Sequence, residues 1–150
     1  MDRLNPYLLS ALQSRVNALE SHAMPLVRIN LPDTTSDAQM AVVADAVHQA
    51  LVETFDVPLS DRFQVITRNA PNELVCTPEF LGIAHSPTVV FVQIACSPGR
   101  SLKVKKALYA DIAGKVASHA HFAAQDVIIN LVETARENWS FGNGIAQYAV

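Results

Sequence analysis

Met24-Pro25 opens an apolar run, Leu26-Val27-Arg28-Ile29, and it is the point in this sequence where unusual chemistry could reside. In a chain that began at Met24 and lost its methionine, Pro25 would carry a free secondary amine. Its ring nitrogen could then move protons or attack carbonyls. With a residue ahead of it the nitrogen is a tertiary amide, its lone pair drawn into a bond with a rotational barrier of roughly 18–20 kcal/mol, and it is no useful base at neutral pH. Twenty-four residues precede Pro25 here. Other reactive side chains offer less. His119 and His121 stand two apart near a helix end and point in different directions, with no cysteine or carboxylate cluster beside them, so no metal site is expected. His22, His48 and His85 are isolated and expected on the surface. Cys76 and Cys96 both fall in strand-like runs and read as buried free thiols. Gly142-x-Gly144 has neither the preceding strand nor the following helix of a dinucleotide fingerprint and reads as a turn. No cofactor is expected.

Composition narrows the classes. A chain of 150 residues suits one compact domain. Its charged fraction of 17% lies below a typical ~25%, which points to surface held against other protein and hence to an oligomer. A net charge of −3 and a pI near 5.9 leave no basic face for nucleic acid or a membrane surface. No apolar stretch approaches the ~18–20 residues of a membrane span, and the first residues lack the basic-then-apolar order of a secretion signal, so a cytoplasmic location is the expectation.

The elements that must position Pro25 follow from periodicity. Residues 1–24 read as a separate helical extension: Asn5 can cap, Pro6 suits the first helical position, and Leu9, Leu12, Val16 and Leu19 form one apolar stripe. The main domain is 25–150. Leu26 to Leu31 is a strand. Ser36 and Gln39 form a capping-box pair, and Met40, Val43, Val47, Ala50 and Leu51 recur with helical period as far as Phe55, before Val57-Pro58. Arg62 to Thr67 is the next strand, and Leu74 to Thr77 a short edge strand ahead of a loop with Pro78, Gly82 and Pro87. The order then repeats: a strand from Thr88 to Cys96, a helix from Ser101 to Ser118 with Val104, Leu108, Ile112 and Val116 on one side, and a strand from Val127 to Val132. Laid over one another at a spacing of about 65 residues, the halves match Val27-Arg28-Ile29 to Val92-Gln93-Ile94 and Asp61 to Asp126. Two duplicated β-α-β halves imply an α+β fold, a four-stranded mixed sheet with both helices on one face. The apolar run Val89 to Ile94, read as buried on both alternating sets, implies that a partner subunit covers the other face. Beyond Val132, residues 138–144 read as turns and short strands, with Asn143-Gly144 a hairpin turn.

Several ordered landmarks together resemble the tautomerase superfamily: a Met-Pro start on a strand, the duplicated halves, Phe55-Asp56-Val57-Pro58-Leu59-Ser60-Asp61-Arg62-Phe63, Ser97-Pro98-Gly99-Arg100-Ser101 before the second helix, and Trp139-Ser140-Phe141-Gly142. Within it, the likeness is nearest to the malonate semialdehyde decarboxylases, and it spans Met24 to about Tyr148. The resemblance implies a cofactor-independent enzyme, a homotrimer, and a small carboxylate substrate. It matches the family's catalytic proline to Pro25, its aspartate after the first helix to Asp61, and the second arginine of its Arg-Pro-Arg segment to Arg100. The first arginine is absent, and Pro98 takes its place. A carboxylate near a secondary amine favours the ammonium form, so Asp61 would make Pro25 a proton donor or carbonyl polariser, whereas burial alone would leave a neutral base. Arg100 would orient the acid group, and Trp139 and Phe141 would wall the pocket against water.

Each assignment has a purely structural alternative. Pro25 can simply begin a strand, Asp61 can satisfy backbone donors in a turn as Asp126 would in the second half, and Trp139 and Phe141 can be core or subunit-contact residues. Arg100 sits at a helix start, a poor place for a cation that merely stabilises the helix. Two functions follow: an enzyme acting on a small 2-oxo or 3-oxo acid once Pro25 is freed, or a non-catalytic trimer whose extension masks the pocket or binds a partner.

Overall fold

The computed structural model describes Tyr7, Ser10 and residues 25–149; the apolar stripe expected of the extension lies outside the described residues. From Pro25 the order is β1 (Leu26–Pro32), α1 (Asp37–Phe55), β2 (Phe63–Asn69), β3 (Glu79–Phe80), β4 (Ile83–Ala84), β5 (Val90–Cys96), α2 (Leu102–Ala120) and β6 (Val127–Glu133). Single 3-10 turns occupy Ala124–Asp126 and Arg136–Asn138. The sheet runs β2-β1-β5-β6, with parallel outer pairs and an antiparallel centre. The duplication is visible in the register. Val27 pairs with Ile94 and Ile29 with Val92, so that exchanging the halves exchanges the two pairs.

Local signals set the helix ends. Ser36 Oγ accepts from the Gln39 N–H at 3.1 Å, and Gln39 Oε1 accepts from the Ser36 N–H at 3.4 Å, which satisfies two otherwise orphaned donors. In the second half Ser101 caps Val104 at 3.2 Å without the reciprocal bond, because valine has no side chain to return it. The helices end on matching left-handed residues, Asp56 (φ 54°) and His121 (φ 61°). One face of the sheet meets both helices: Val27, Ile29, Leu31, Val92 and Ile94 pack with Val43, Val47, Leu51, Leu108, Ile112 and Val116, all fully buried. Truncating any of the larger ones, Leu108→Ala for example, costs about 2–5 kcal/mol.

Five expectations are corrected. The β5 side chains are not equally covered: Val90, Val92, Ile94 and Cys96 are buried, whereas Gln93 is exposed and Phe91 and Ala95 are half-buried on the helix-free face. Residues Leu74 to Thr77 form no strand; the small hairpin β3-β4 lies beyond Pro78, turning on Leu81 (φ 50°) and Gly82 (φ 79°). A turn with two positive φ values suits the twist of a hairpin, and Leu81 accepts it while its side chain stands in solvent. Cys76 is therefore half-buried in a loop. Asn143 and Gly144 do adopt left-handed φ, yet no strands flank them. Finally, His48 is buried, because Nε2–H donates to the Leu59 carbonyl at 2.8 Å and so satisfies the ring inside the protein.

Candidate active site

Pro25 stands one residue ahead of Leu26, whose partners are Ala95 on β5 and Phe63 on β2. The end of the sheet that carries Pro25 is thus also where the β5-α2 turn leaves and where the loop with Asp61 enters. Pro25 is buried. Asp61 is half-exposed; its N–H donates to the Pro58 carbonyl at 2.9 Å, and the Ser60 hydroxyl approaches its Oδ1 at 3.5 Å, the outer limit of a hydrogen bond. Arg100 lies in the turn after β5, which reverses through Gly99 at φ +117°, a conformation that a side chain would strain. Its guanidinium stands 4.2 Å above the Phe55 ring and donates to the carbonyls of Ser97 (3.3 Å) and Phe55 (3.4 Å).

Arg100 opens onto a cleft of about 430 Å³ lined also by Phe55, Asp56, Ser97, Pro98, Gly99 and Arg136. Pro25, Asp61, Trp139 and Phe141 are not among its walls. A neighbouring cleft of about 460 Å³ shares Ser97, Pro98 and Arg136 and adds Tyr148. The aromatic residues gather separately. Trp139 and Phe141 stack with centroids 5.4 Å apart and planes 5° from parallel, and Phe141 also meets Phe63 at 5.7 Å and Tyr148 edge-on at 5.3 Å. Phe63 is paired with Leu26, which brings this cluster to the Pro25 end of β1 and β2. Gln147 holds the tail there, accepting from the Phe141 N–H at 2.9 Å and donating to the Gly142 carbonyl at 3.1 Å.

Two sequence profiles for tautomerase enzymes match the chain, one over residues 61–142 and the other over residues 25–83, so that the second match begins at Pro25. The probable tautomerase YusQ of Bacillus subtilis (strain 168) is 33% identical over 124 residues, 83% of this chain and 98% of that one. This chain belongs to the tautomerase family. A second relative, the probable tautomerase YrdN of the same organism, is 30% identical over 125 residues, 83% of this chain and 96% of that one. Among solved structures, FG41 malonate semialdehyde decarboxylase inhibited by 3-bromopropiolate is 39% identical with a TM-score of 0.77, over 82% of this chain and 93% of that one. Another malonate semialdehyde decarboxylase, solved in wild-type, mutant and inactivated forms, is 34% identical with a TM-score of 0.75, over 82% and 95%. A fused 4-OT symmetric trimer, 18% identical over 80% and 94% with a TM-score of 0.66, shares the fold.

The cleft and the aromatic cluster hold residues that the sequence did not single out. Arg136 and Asp56 share the cleft with Arg100, and Phe63 and Tyr148 complete the aromatic cluster. Asp56 could have been suspected from its place at a helix end; Arg136 carries no periodic or spacing signal and reaches the cleft only through the turn after β6. Burial lowers the pKa of the Arg100 guanidinium, and Cys96, Asp56 and Glu133 act in the opposite sense. Guanidinium nevertheless stays protonated in proteins, so Arg100 is a permanent cation facing the cleft. Burial also raises the Cys96 thiol, against the pull of Arg100, which leaves it protonated and poorly nucleophilic. Among the described residues, no group of three or more His, Cys, Asp or Glu could hold a metal ion.

Proposed function

We propose that this tautomerase acts on a small 2-oxo or 3-oxo carboxylic acid, by decarboxylation, hydration or keto–enol tautomerisation, through Pro25 with a free amine. The observation that carries this reading is the cationic cleft around Arg100, at the same end of the sheet as Pro25, in a chain 39% identical to a malonate semialdehyde decarboxylase. Arg100 takes the substrate carboxylate through paired hydrogen bonds. Asp61 favours the ammonium form of Pro25, which polarises the substrate carbonyl. In decarboxylation the bond to the carboxyl carbon breaks, carbon dioxide leaves, and the electron pair passes into an enolate that then takes a proton. A neutral Pro25 would instead remove a proton beside the carbonyl and return it at another carbon, which is tautomerisation. Trp139 and Phe141 keep water from the reacting atoms.

The test is a chain beginning at Pro25, assayed with malonate semialdehyde and with an enolised 2-oxo acid, beside its Pro25→Ala variant and the full-length protein. Turnover that depends on Pro25 supports the reading; a Pro25→Ala variant of equal activity, or no turnover of either substrate, sinks it. Sequencing the first residues of the protein from its own cell shows whether the amine is free there.

A second reading is motivated by the 24 residues ahead of Pro25, which turn its nitrogen into an amide in the full chain. In that reading the protein is a non-catalytic trimer whose extension masks the pocket or binds a partner. Full-length protein as active as the chain cut before Pro25 would exclude it. Both readings take the protein as a cytoplasmic homotrimer, for which the half-open sheet face with Phe63, Val65 and Phe91 gives a surface to share; light scattering at several concentrations tests the stoichiometry. No helix among the described residues is long and apolar enough to cross a membrane.

A further inference from the structure

Both halves of the domain carry the same turn ahead of their outer strands. The Asp61 N–H donates to the Pro58 carbonyl at 2.9 Å, and at the matching place the Asp126 N–H donates to the Ala123 carbonyl at 3.0 Å. What holds each turn differs. In the second half the aspartate is tied directly, its carboxylate accepting from the Ser86 N–H and the Ser86 hydroxyl. The Ala124 carbonyl inside that turn accepts from the Val127 N–H. In the first half the Asp61 carboxylate meets, among the described residues, only the Ser60 hydroxyl at 3.5 Å. The carbonyl matching that of Ala124 belongs to Leu59, and it accepts from His48 Nε2–H at 2.8 Å. His48 is 5% exposed on α1, and its counterpart on α2, Ala113, has no side chain that could donate. Burying an imidazole is costly unless its N–H is bonded, and even then the net gain is modest, so stability alone gives little reason for a histidine here.

We infer that His48 is a positioning residue for Asp61: it clamps the Pro58–Asp61 turn from behind, at Leu59, and so fixes the carboxylate without occupying it. The inference rests on the reading in which Asp61 sets the ionisation of Pro25. A carboxylate that favours a neighbouring ammonium must keep lone pairs open toward it and must also stay at a fixed distance, because the attraction falls with separation. Tying the carboxylate itself, as Ser86 ties Asp126, meets the second need and fails the first. Tying the backbone two residues earlier meets both. Leu59 contributes its carbonyl alone, since its side chain is 74% exposed. The start of the same loop is fixed independently, with Val57 buried and its N–H donating to the Leu51 carbonyl at 3.3 Å. His48 therefore governs the part of the loop nearest Asp61.

The test is a double-mutant cycle. Among the described residues the hydrophobic core lies wholly between Val27 and Leu131, so a chain beginning at Pro25 keeps it, and that chain is assayed with the oxo acid it turns over. His48→Phe keeps the bulk of the ring and removes the donor, His48→Leu shortens the side chain as well, and His48→Gln returns an N–H at similar reach. The first two should lower kcat/KM about tenfold, and His48→Gln should recover most of the loss. In an Asp61→Asn background His48→Phe should change kcat/KM by less than about twofold, because the residue through which it acts is gone. A histidine that only stabilises the fold would lower the melting temperature and leave kcat/KM alone, or add its full effect to that of Asp61→Asn. Either result overturns the inference, as does an Asp61→Asn chain as active as its parent. Hydrogen exchange in the full-length protein needs no turnover: His48→Phe and His48→Leu should speed exchange of the Asp61 amide about tenfold relative to that of Ile29 in the core, and His48→Gln should restore it. Unchanged exchange also overturns the inference. A protein whose Asp61 amide responds in this way, yet which turns over no oxo acid even when it starts at Pro25, sinks the catalytic reading and leaves the clamp standing.

Discussion

The two ends of the sheet are copies of one design and have been finished differently. At the Pro25 end Asp61 is half-exposed and, among the described residues, its carboxylate has only the 3.5 Å approach of Ser60, whereas its duplicate Asp126 is 1% exposed and accepts from the Ser86 N–H at 2.8 Å and the Ser86 hydroxyl at 2.6 Å. The position matching Arg100 is Thr35, which is buried with its N–H bonded to the Pro32 carbonyl at 3.0 Å. The clefts differ in the same direction: about 430 Å³ with two arginines at the Pro25 end, about 280 Å³ with Asp33 and no arginine or lysine at the other. At the second end the Asp126 carboxylate is satisfied within the fold, although Asn69 Oδ1 beside that cleft is buried without a partner among the described residues. At the first end two arginines line the cleft, and positive charge on a cleft wall is what an acidic ligand can use.

The sharpest way to break this contrast is to exchange charge for none at matched positions. In a chain beginning at Pro25, Arg100→Ala should lower kcat/KM by roughly a hundredfold to a thousandfold, the usual loss for a half-buried charge that orients the reacting group. Thr35→Val should leave kcat/KM within about twofold and change only stability. Equal losses at both positions would mean that the ends are not functionally distinct.

Next in size is the aspartate pair, with its effects reversed. Asp126→Ala removes two short hydrogen bonds and leaves Ser86 unpaired, so urea unfolding should show a loss of about 2–4 kcal/mol. Asp61→Ala should stay within about 0.5 kcal/mol in stability while reducing turnover. An Asp61 variant as unstable as the Asp126 variant would return Asp61 to a turn-stabilising role.

The duplicated frame was legible because its signals are local and occur twice. The Ser36–Gln39 box, the serine ahead of the second helix and the apolar period through Leu108, Ile112 and Val116 depend on residues within a turn or two of each other. What escaped depends on distant segments meeting. His48 looked like a surface residue because nothing nearby shows that the Leu59 carbonyl folds back onto its ring. The β3-β4 hairpin turns partly on a leucine at positive φ, which composition argues against. Arg136 enters the cleft through the path of the chain after β6, and no spacing announces it. Pro25, Asp61 and Arg100 were readable as a set only through resemblance to a family, since none has a periodic signal of its own.

The smallest expected effect concerns how each half ties its helix to its outer strand. In the first half Arg68 pairs with Asp37, and in the second Lys105 pairs with Glu133, both at the protein surface. The hydrogen bond that Lys105 donates to Glu133 raises the pKa of Lys105 above its ordinary value. A cation whose folded pKa is raised contributes stability that is fully present below its unfolded pKa and lost as the pH climbs through the folded one. Unfolding measured from neutral to strongly alkaline pH should therefore show a small fall in stability that Lys105→Met flattens and Arg68→Met leaves in place. A fall that survives Lys105→Met would place the alkaline weakness in another group and remove this difference between the halves.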